Sequence, residues 1–165
     1  MNKPVKAILA LTLILMVTLA GAAQTKAPAR KAAGRDAEFK KLIEEYYAAW
    51  SRLNTDAPAK YYAKDADLIF YDIAPMKYNS WKEYHDGVQK YFFDTATSVK
   101  LVPNMNDLKV TQRGNVAWTT VTFHLSSALK AGGATELDAR HTAIWERRGG
   151  RWLIVHEHVS VPLPG

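Results

Sequence analysis

The sequence predicts an α+β domain whose helices gather on one side of a curved antiparallel sheet, and three observations carry that expectation. Apolar and aromatic residues recur at spacings of three and four between Phe39 and Leu53. After Phe93 the chain becomes β-branched, aromatic and alternating. Short connections containing Gly separate the last segments, so successive strands are expected to pair as a meander.

Three regions are expected along the chain. Residues 1–23 read as a signal peptide, with Lys3 and Lys6, an apolar run from Ala7 to Ala20, and small residues at Ala20, Gly21, Ala22 and Ala23. The run is shorter than the ~20 residues a bilayer span needs. Cleavage after Ala22 or Ala23 predicts an exported protein, periplasmic or secreted, with no transmembrane segment left. Residues 24–35 carry Lys26, Arg30, Lys31 and Arg35 without an acid and read as a flexible basic linker. Residues 36–165 form the folded domain, of a size that suits one core.

Charge and cysteine content exclude several classes. The whole chain is +6, but the excess lies in the leader and linker, and the domain from Asp36 onward is neutral. A nucleic-acid footprint would need basic residues clustered on a folded face, so none is expected. With no cysteine, neither a disulfide nor a lipid anchor is available.

The first helix is expected over residues 36–54, with Asp36 as N-cap and Phe39, Leu42, Ile43, Tyr46, Tyr47, Trp50 and Leu53 as its buried stripe, lying across the concave face of the sheet. A second short helix opens at Asp56 with Pro58 in its first turn. Residues 67–72, "DLIFYD", read as a strand. A third helix starts after Ser80, with Glu83 completing a capping box and Gly87 an oddity in its middle. Four long strands follow, at Ser98–Gln112, Val116–Leu129, Thr135–Arg147 and Arg151–Val161.

The segments "EEYYAAWSRLNTD", "YYAKDADLIFYD" and "RHTAIWERRGGRWLIVHEHVSVP" resemble the SnoaL-like branch of the nuclear transport factor 2-like superfamily. The last is also similar to the association domain of calcium/calmodulin-dependent protein kinase. The resemblance implies a cone-shaped sheet around the helices, an internal cavity and a homodimer. It does not imply one chemistry, since the superfamily includes isomerases, dehydratases, cyclases and inert scaffolds.

The chemistry turns on where "HEH", residues 156–158, points. A three-residue turn through Arg148, Gly149 and Gly150 would set Arg147 against Arg151 and His141 against Glu157. Ala139, Ala143, Trp145, Leu153, Val155 and Val159 would share that face. Asp138, Arg140, Thr142, Ile144, Trp152, Ile154, His156, His158 and Ser160 would take the other, where Trp152 and Ile154 are expected to meet a partner subunit. The resemblance assigns the His141/Glu157 face to the cavity, because pocket arginines of the kinase association domain align with His124, Ala143 and Val159. All three arginines are replaced here.

The expected site is therefore His141 as base, Glu157 as its orienter and His124 as hydrogen-bond donor. Tyr47, Trp50, Tyr61, Tyr71, His85 and Trp145 would wall the remainder around a small, mostly apolar organic molecule. A cross-strand His/Glu pair also serves as a purely structural contact, so a non-catalytic association module stays open beside an isomerase or dehydratase. No cofactor is required. His156 and His158 could offer two ligands to a metal, but no third is evident, and a hydrogen-bonded role is expected instead.

Overall fold

The computed structural model describes residues 27–65 and 67–163, so the expected signal peptide lies outside the described residues. Helix α1 spans Ala27–Trp50. It therefore starts nine residues before Asp36, which lies within the helix and is not its N-cap, and the stretch 27–35 expected as linker has helical backbone. Phe39, Ile43, Tyr46, Tyr47 and Trp50 form its buried face. That face rests on the sheet through Phe39 against Trp145 and Trp152, and Tyr47 against Phe123.

The second expected helix is only a 3-10 turn, Ala59–Tyr61. The described residues thus contain two α-helices, where the sequence suggested three. After that turn, Tyr62 bridges in parallel to Ile154, and the Ala63 N–H donates to the Ile154 carbonyl at 2.9 Å. Strand β1 is just Phe70–Tyr71 and pairs with β2, Lys77–Tyr78, across a loop. Helix α2 covers Trp81–Tyr91, with the Ser80 side chain accepting from the Glu83 N–H as expected. The Glu83 carboxylate reaches back to the N–H of Asn79 instead of Ser80.

Gly87 has a packing reason. A Cβ there would stand 2.4 Å from Cε1 of Tyr78, so the bare glycine lets the tyrosine ring lie against α2.

The first expected long strand is two strands, β3 at Ala96–Pro103 and β4 at Lys109–Arg113. Pro103, Asn104 and Asp107 break it with turn chemistry: Asp107 accepts from the Thr122 N–H and hydroxyl and holds the turn against the neighbouring strand. Strands β5 (Val116–Leu129), β6 (Ala134–Arg148) and β7 (Arg151–Ser160) complete a seven-stranded sheet ordered β2-β1-β7-β6-β5-β3, with β4 also on β5. All pairs are antiparallel except β1 with β7, so the sheet is mixed and unclosed.

The β6–β7 register corrects the sequence expectation twice. The turn has two residues, Gly149 and Gly150, with φ of 56° and 81°, which is the pair of left-handed positions a two-residue hairpin demands. Arg148 therefore faces Arg151, and Trp145 faces Ile154. This places Trp152 and Ile154, 5% and 0% exposed, in the core, so neither can form the subunit contact expected of them. A bulge at Val155 then inserts one extra residue, so Ile144 faces His156, Ala143 faces Glu157 and His141 faces Val159. Beyond the bulge, the alternation returns to the parity the three-residue turn would have given.

Candidate functional site

Glu157 comes to the interior on β7, immediately past the bulge, and is completely buried. It is diagonal to His141 on β6, with Nε2 of the imidazole 3.3 Å from Oε2. That approach is off the hydrogen-bonding line, so Nε2 lacks an aligned partner. Two tyrosines hold the carboxylate: Tyr46 on α1 donates to Oε2 at 2.9 Å, and Tyr62 donates to the two oxygens at 3.0 and 2.9 Å. Trp50 Nε1 in turn donates to the Tyr62 oxygen at 3.2 Å.

Burial pushes the Glu157 pKa up, but the His141 imidazole and the Tyr84 and Tyr62 hydroxyls outweigh it, so Glu157 is held below the usual carboxylate range. Burial, reinforced by the Glu157 charge, pushes Tyr46, Tyr47, Tyr62 and Tyr84 well above the usual phenol value. The cluster is thus one buried carboxylate among neutral phenols. On the other side of His141, Nδ1 lies 3.0 Å from the Tyr47 hydroxyl. Glu157, His141 and Tyr47 form a chain whose last member reaches open space.

That space is a pocket of about 810 Å³ between α1, α2, the β1–β2 loop and the sheet. Its walls include Trp50, Tyr84, Phe93, Phe123 and Leu137, and no Lys or Arg is among its lining residues. Its polar groups include Tyr47, Tyr78, Tyr84, Tyr91, His141 and Asp72. Asp72 follows β1 and is half-buried at the exposed Ile73–Pro75 rim. Its carboxylate accepts from the Ile73 N–H at 2.7 Å. Burial pushes Asp72 up to about 7, against the opposing pull of that backbone N–H.

The structure distributes the expected site residues unevenly. His141 and Glu157 meet inside, and Tyr47 and Trp50 line the pocket. His124 does not join them: it points outward from β5 and sits between Asp138 (2.9 Å) and Glu136 (2.7 Å) on the exposed face, where these carboxylates raise its pKa. The alternation Val121, Phe123, Leu125 against Thr122, His124, Ser126 already carried that parity. Tyr61 is buried away from the pocket, against a surface groove near Trp152. Tyr71 is exposed on the outer face, packed on His156 and His158. His85 is partly exposed between Asp56 and Asp86. Trp145 is fully enclosed in the core, its Nε1 donating to Thr119 Oγ1 at 2.9 Å.

His156 and His158 lie away from the pocket, with His156 Nδ1 donating to the Ile69 carbonyl at 2.8 Å. Sequence reasoning missed Asp72, Tyr62, Tyr78 and Tyr84 as site residues. The signal for Asp72 was again parity, since a strand that buries Phe70 and exposes Tyr71 turns Asp72 inward.

A family model described as "SnoaL-like domain" matches residues 40–164. No curated protein matches the chain. Among solved structures, it is similar to a nuclear transport factor 2-like superfamily protein from Salmonella enterica serovar Typhimurium LT2. The two are 16% identical with a TM-score of 0.69, covering 81% of this chain and 94% of that one. A protein from Xanthomonas campestris, described as a calcium/calmodulin-dependent protein kinase II association domain, is 23% identical with a TM-score of 0.64, covering 76% and 86%. A protein from Streptomyces avermitilis, described as a dehydratase of the same superfamily, is 15% identical with a TM-score of 0.67, covering 79% and 99%. At these identities the likeness is one of fold.

Proposed function

The chain belongs to the SnoaL-like domain family, and from that premise we propose that it binds a small, largely apolar organic molecule and moves a proton on it, as an isomerase or dehydratase that needs no cofactor. One observation carries this reading: a pocket walled mainly by aromatic and aliphatic side chains holds both Asp72 and Tyr47, the latter the end of the Glu157–His141–Tyr47 chain. Two polar groups in one apolar pocket are what a proton transfer between carbon and oxygen uses.

Asp72 is the group we assign to proton abstraction and return, because burial brings its pKa near neutrality. His141 has both ring nitrogens turned to protein, so it acts through Tyr47. With the ring proton on Nδ1, His141 donates to the Tyr47 oxygen. This frees the Tyr47 O–H to stabilise oxyanion charge on the substrate. A relative described as a dehydratase supports the reaction class by analogy of fold alone. We place this activity after export, on the strength of the expected signal peptide.

The test is hydrogen exchange. The exported form would be incubated in deuterated buffer with cyclic enones and β-hydroxy ketones, with and without an amino substituent, and loss of the α-proton signal followed by NMR. Exchange above buffer that falls with Asp72→Asn and with Tyr47→Phe supports the reading. Binding without exchange would leave the second reading, a non-catalytic association module. Exposed Ile69, Tyr71 and Trp118 on the outer sheet face favour that reading as a surface for a second copy.

A further inference from the structure

We infer that the ligand of this pocket is an organic cation: an aromatic or alicyclic molecule whose protonated amine sits between the Asp72 carboxylate and the Tyr78 hydroxyl. The inference rests on reading the pocket as a ligand site, but not on the proton transfer assigned to it.

Three observations converge on one end of the pocket. The first is an unmatched carboxylate. Among the described residues Asp72 receives a hydrogen bond only from the Ile73 N–H, and no Lys or Arg lines the pocket to neutralise it. A half-buried carboxylate without a counter-charge is unfavourable, and a cationic ligand would supply the missing charge. The second is an unmatched hydroxyl. Tyr78 is 4% exposed and lines the pocket, and its OH has no hydrogen-bond partner among the described residues. A buried polar atom left unpaired costs about 1–3 kcal/mol, which a ligand N–H donating to the Tyr78 oxygen would offset.

The third is the surrounding aromatic surface. Phe70 faces Tyr78 in the β1–β2 ladder and Asp72 follows two residues on, the Tyr78 and Tyr84 rings stand 5.1 Å apart, and both line the pocket together with Tyr91 and Asp72. Aromatic faces attract a cation, and the attraction grows when water is excluded. The bare Gly87 is what admits the Tyr78 ring to this position. Lys90 already lies 5.0 Å from the centre of the Tyr91 ring, but it is exposed and not among the pocket's lining residues.

The same features exclude an anion. A carboxylate or phosphate ligand would enter a pocket with no basic side chain, beside Asp72 and in front of the ionised Glu157. A cationic nitrogen also lowers the cost of forming a carbanion beside it, so this ligand class is compatible with proton abstraction by Asp72.

The experiment holds the ring constant and varies the head. Isothermal titration calorimetry at fixed ionic strength and pH 8 would compare 2-naphthylmethylamine, (2-naphthylmethyl)trimethylammonium, 2-naphthylmethanol and 2-naphthoate. Both cations should bind roughly tenfold or more tighter than the alcohol, with the naphthoate weakest. Asp72→Asn should bring cation and alcohol to within about twofold, while Tyr78→Phe should weaken the primary amine and spare the quaternary ammonium, which has no N–H to share. Alcohol or naphthoate binding as tightly as the amines in the unaltered protein would overturn the cation assignment while leaving the ligand pocket intact. Failure of all four to bind would overturn both. The comparison in the unaltered protein stands whether or not either variant folds.

Discussion

His141 and Glu157 are not opposite one another in the β6–β7 ladder, yet their side chains meet at 3.3 Å across the diagonal. Each faces another residue directly, His141 facing Val159 and Ala143 facing Glu157. The meeting depends on a bulge two residues before Glu157, so the pair is a product of strand irregularity as much as of sequence spacing.

The buried carboxylate should matter to stability. Glu157→Gln keeps the shape but presents an NH2 to tyrosine donors that need an acceptor. Urea unfolding should record a loss of about 1.5–3 kcal/mol, in the range of a hydrogen bond to a charged group. Because the folded pKa of Glu157 is depressed, its contribution is present above the ordinary carboxylate value of 4.5 and is lost as pH falls through the lower folded value. The difference between the two proteins should therefore shrink in strong acid, and a constant difference down to pH 2 would argue against an ionised Glu157.

Asp72 predicts the opposite slope. Its folded pKa is raised from 3.8 to about 7, so it favours the folded state fully below 3.8 and that contribution is lost as pH rises toward 7. The charged and titratable groups acting with it are Glu157, His141, Tyr78 and Tyr84. Thermal melts from pH 4 to 8 should show Asp72→Asn gaining on the unaltered protein as pH rises. Parallel curves would mean that Asp72 is ionised throughout and unfit for the proton-transfer role.

Gly87→Ala should be costly although alanine is the better helix former. The new methyl meets the Tyr78 ring at 2.4 Å, and overpacking of this kind costs about 1–3 kcal/mol, against roughly 1 kcal/mol gained in helix propensity. Ligand affinity should fall with it, because Tyr78 must move within the pocket wall. Gly34→Ala, with nothing within 4 Å of its new methyl, is the control and should do no harm.

Deleting Val155 should be tolerated. Without it Ile154 still faces Trp145 and His156 still faces Ile144, so the ladder heals and Glu157 remains inside. Inserting one residue before His156 instead should turn Glu157 outward and abolish the cooperative melt. An unaffected melt in the insertion variant would show that the parity of β7 does not govern the core.

Much of the fold was legible because its signals are local. The α1 stripe, the Ser80 cap and the alternation of β5 follow from which neighbours share a face, and each was readable within a few residues. The β-hairpin loop was legible in kind but not in length, since Gly149 and Gly150 suit either a two-residue or a three-residue turn. The expected direct pairing of His141 with Glu157 did not hold, but their shared face did, because the one-residue error at the turn and the bulge at Val155 together shift the register by two. Near the turn the one-residue error acts alone, and Trp152 and Ile154 went to the core instead of the surface.

By itself, then, the sequence determined the buried stripe of α1, the cap of α2 and the long strands β5, β6 and β7, and it put His141 and Glu157 on one face. Tertiary structure alone decided where the bulge falls, that β1 runs parallel to β7, and that Tyr46 and Tyr62 converge on one carboxylate from α1 and from the segment after the 3-10 turn. It also decided that Asp72, not His124, shares the pocket with His141. The reason is physical: periodicity reports which side of its own element a residue occupies, but carries no information on which elements pack together. Register shifts and charge encounters arise only when several elements compete for one enclosed volume.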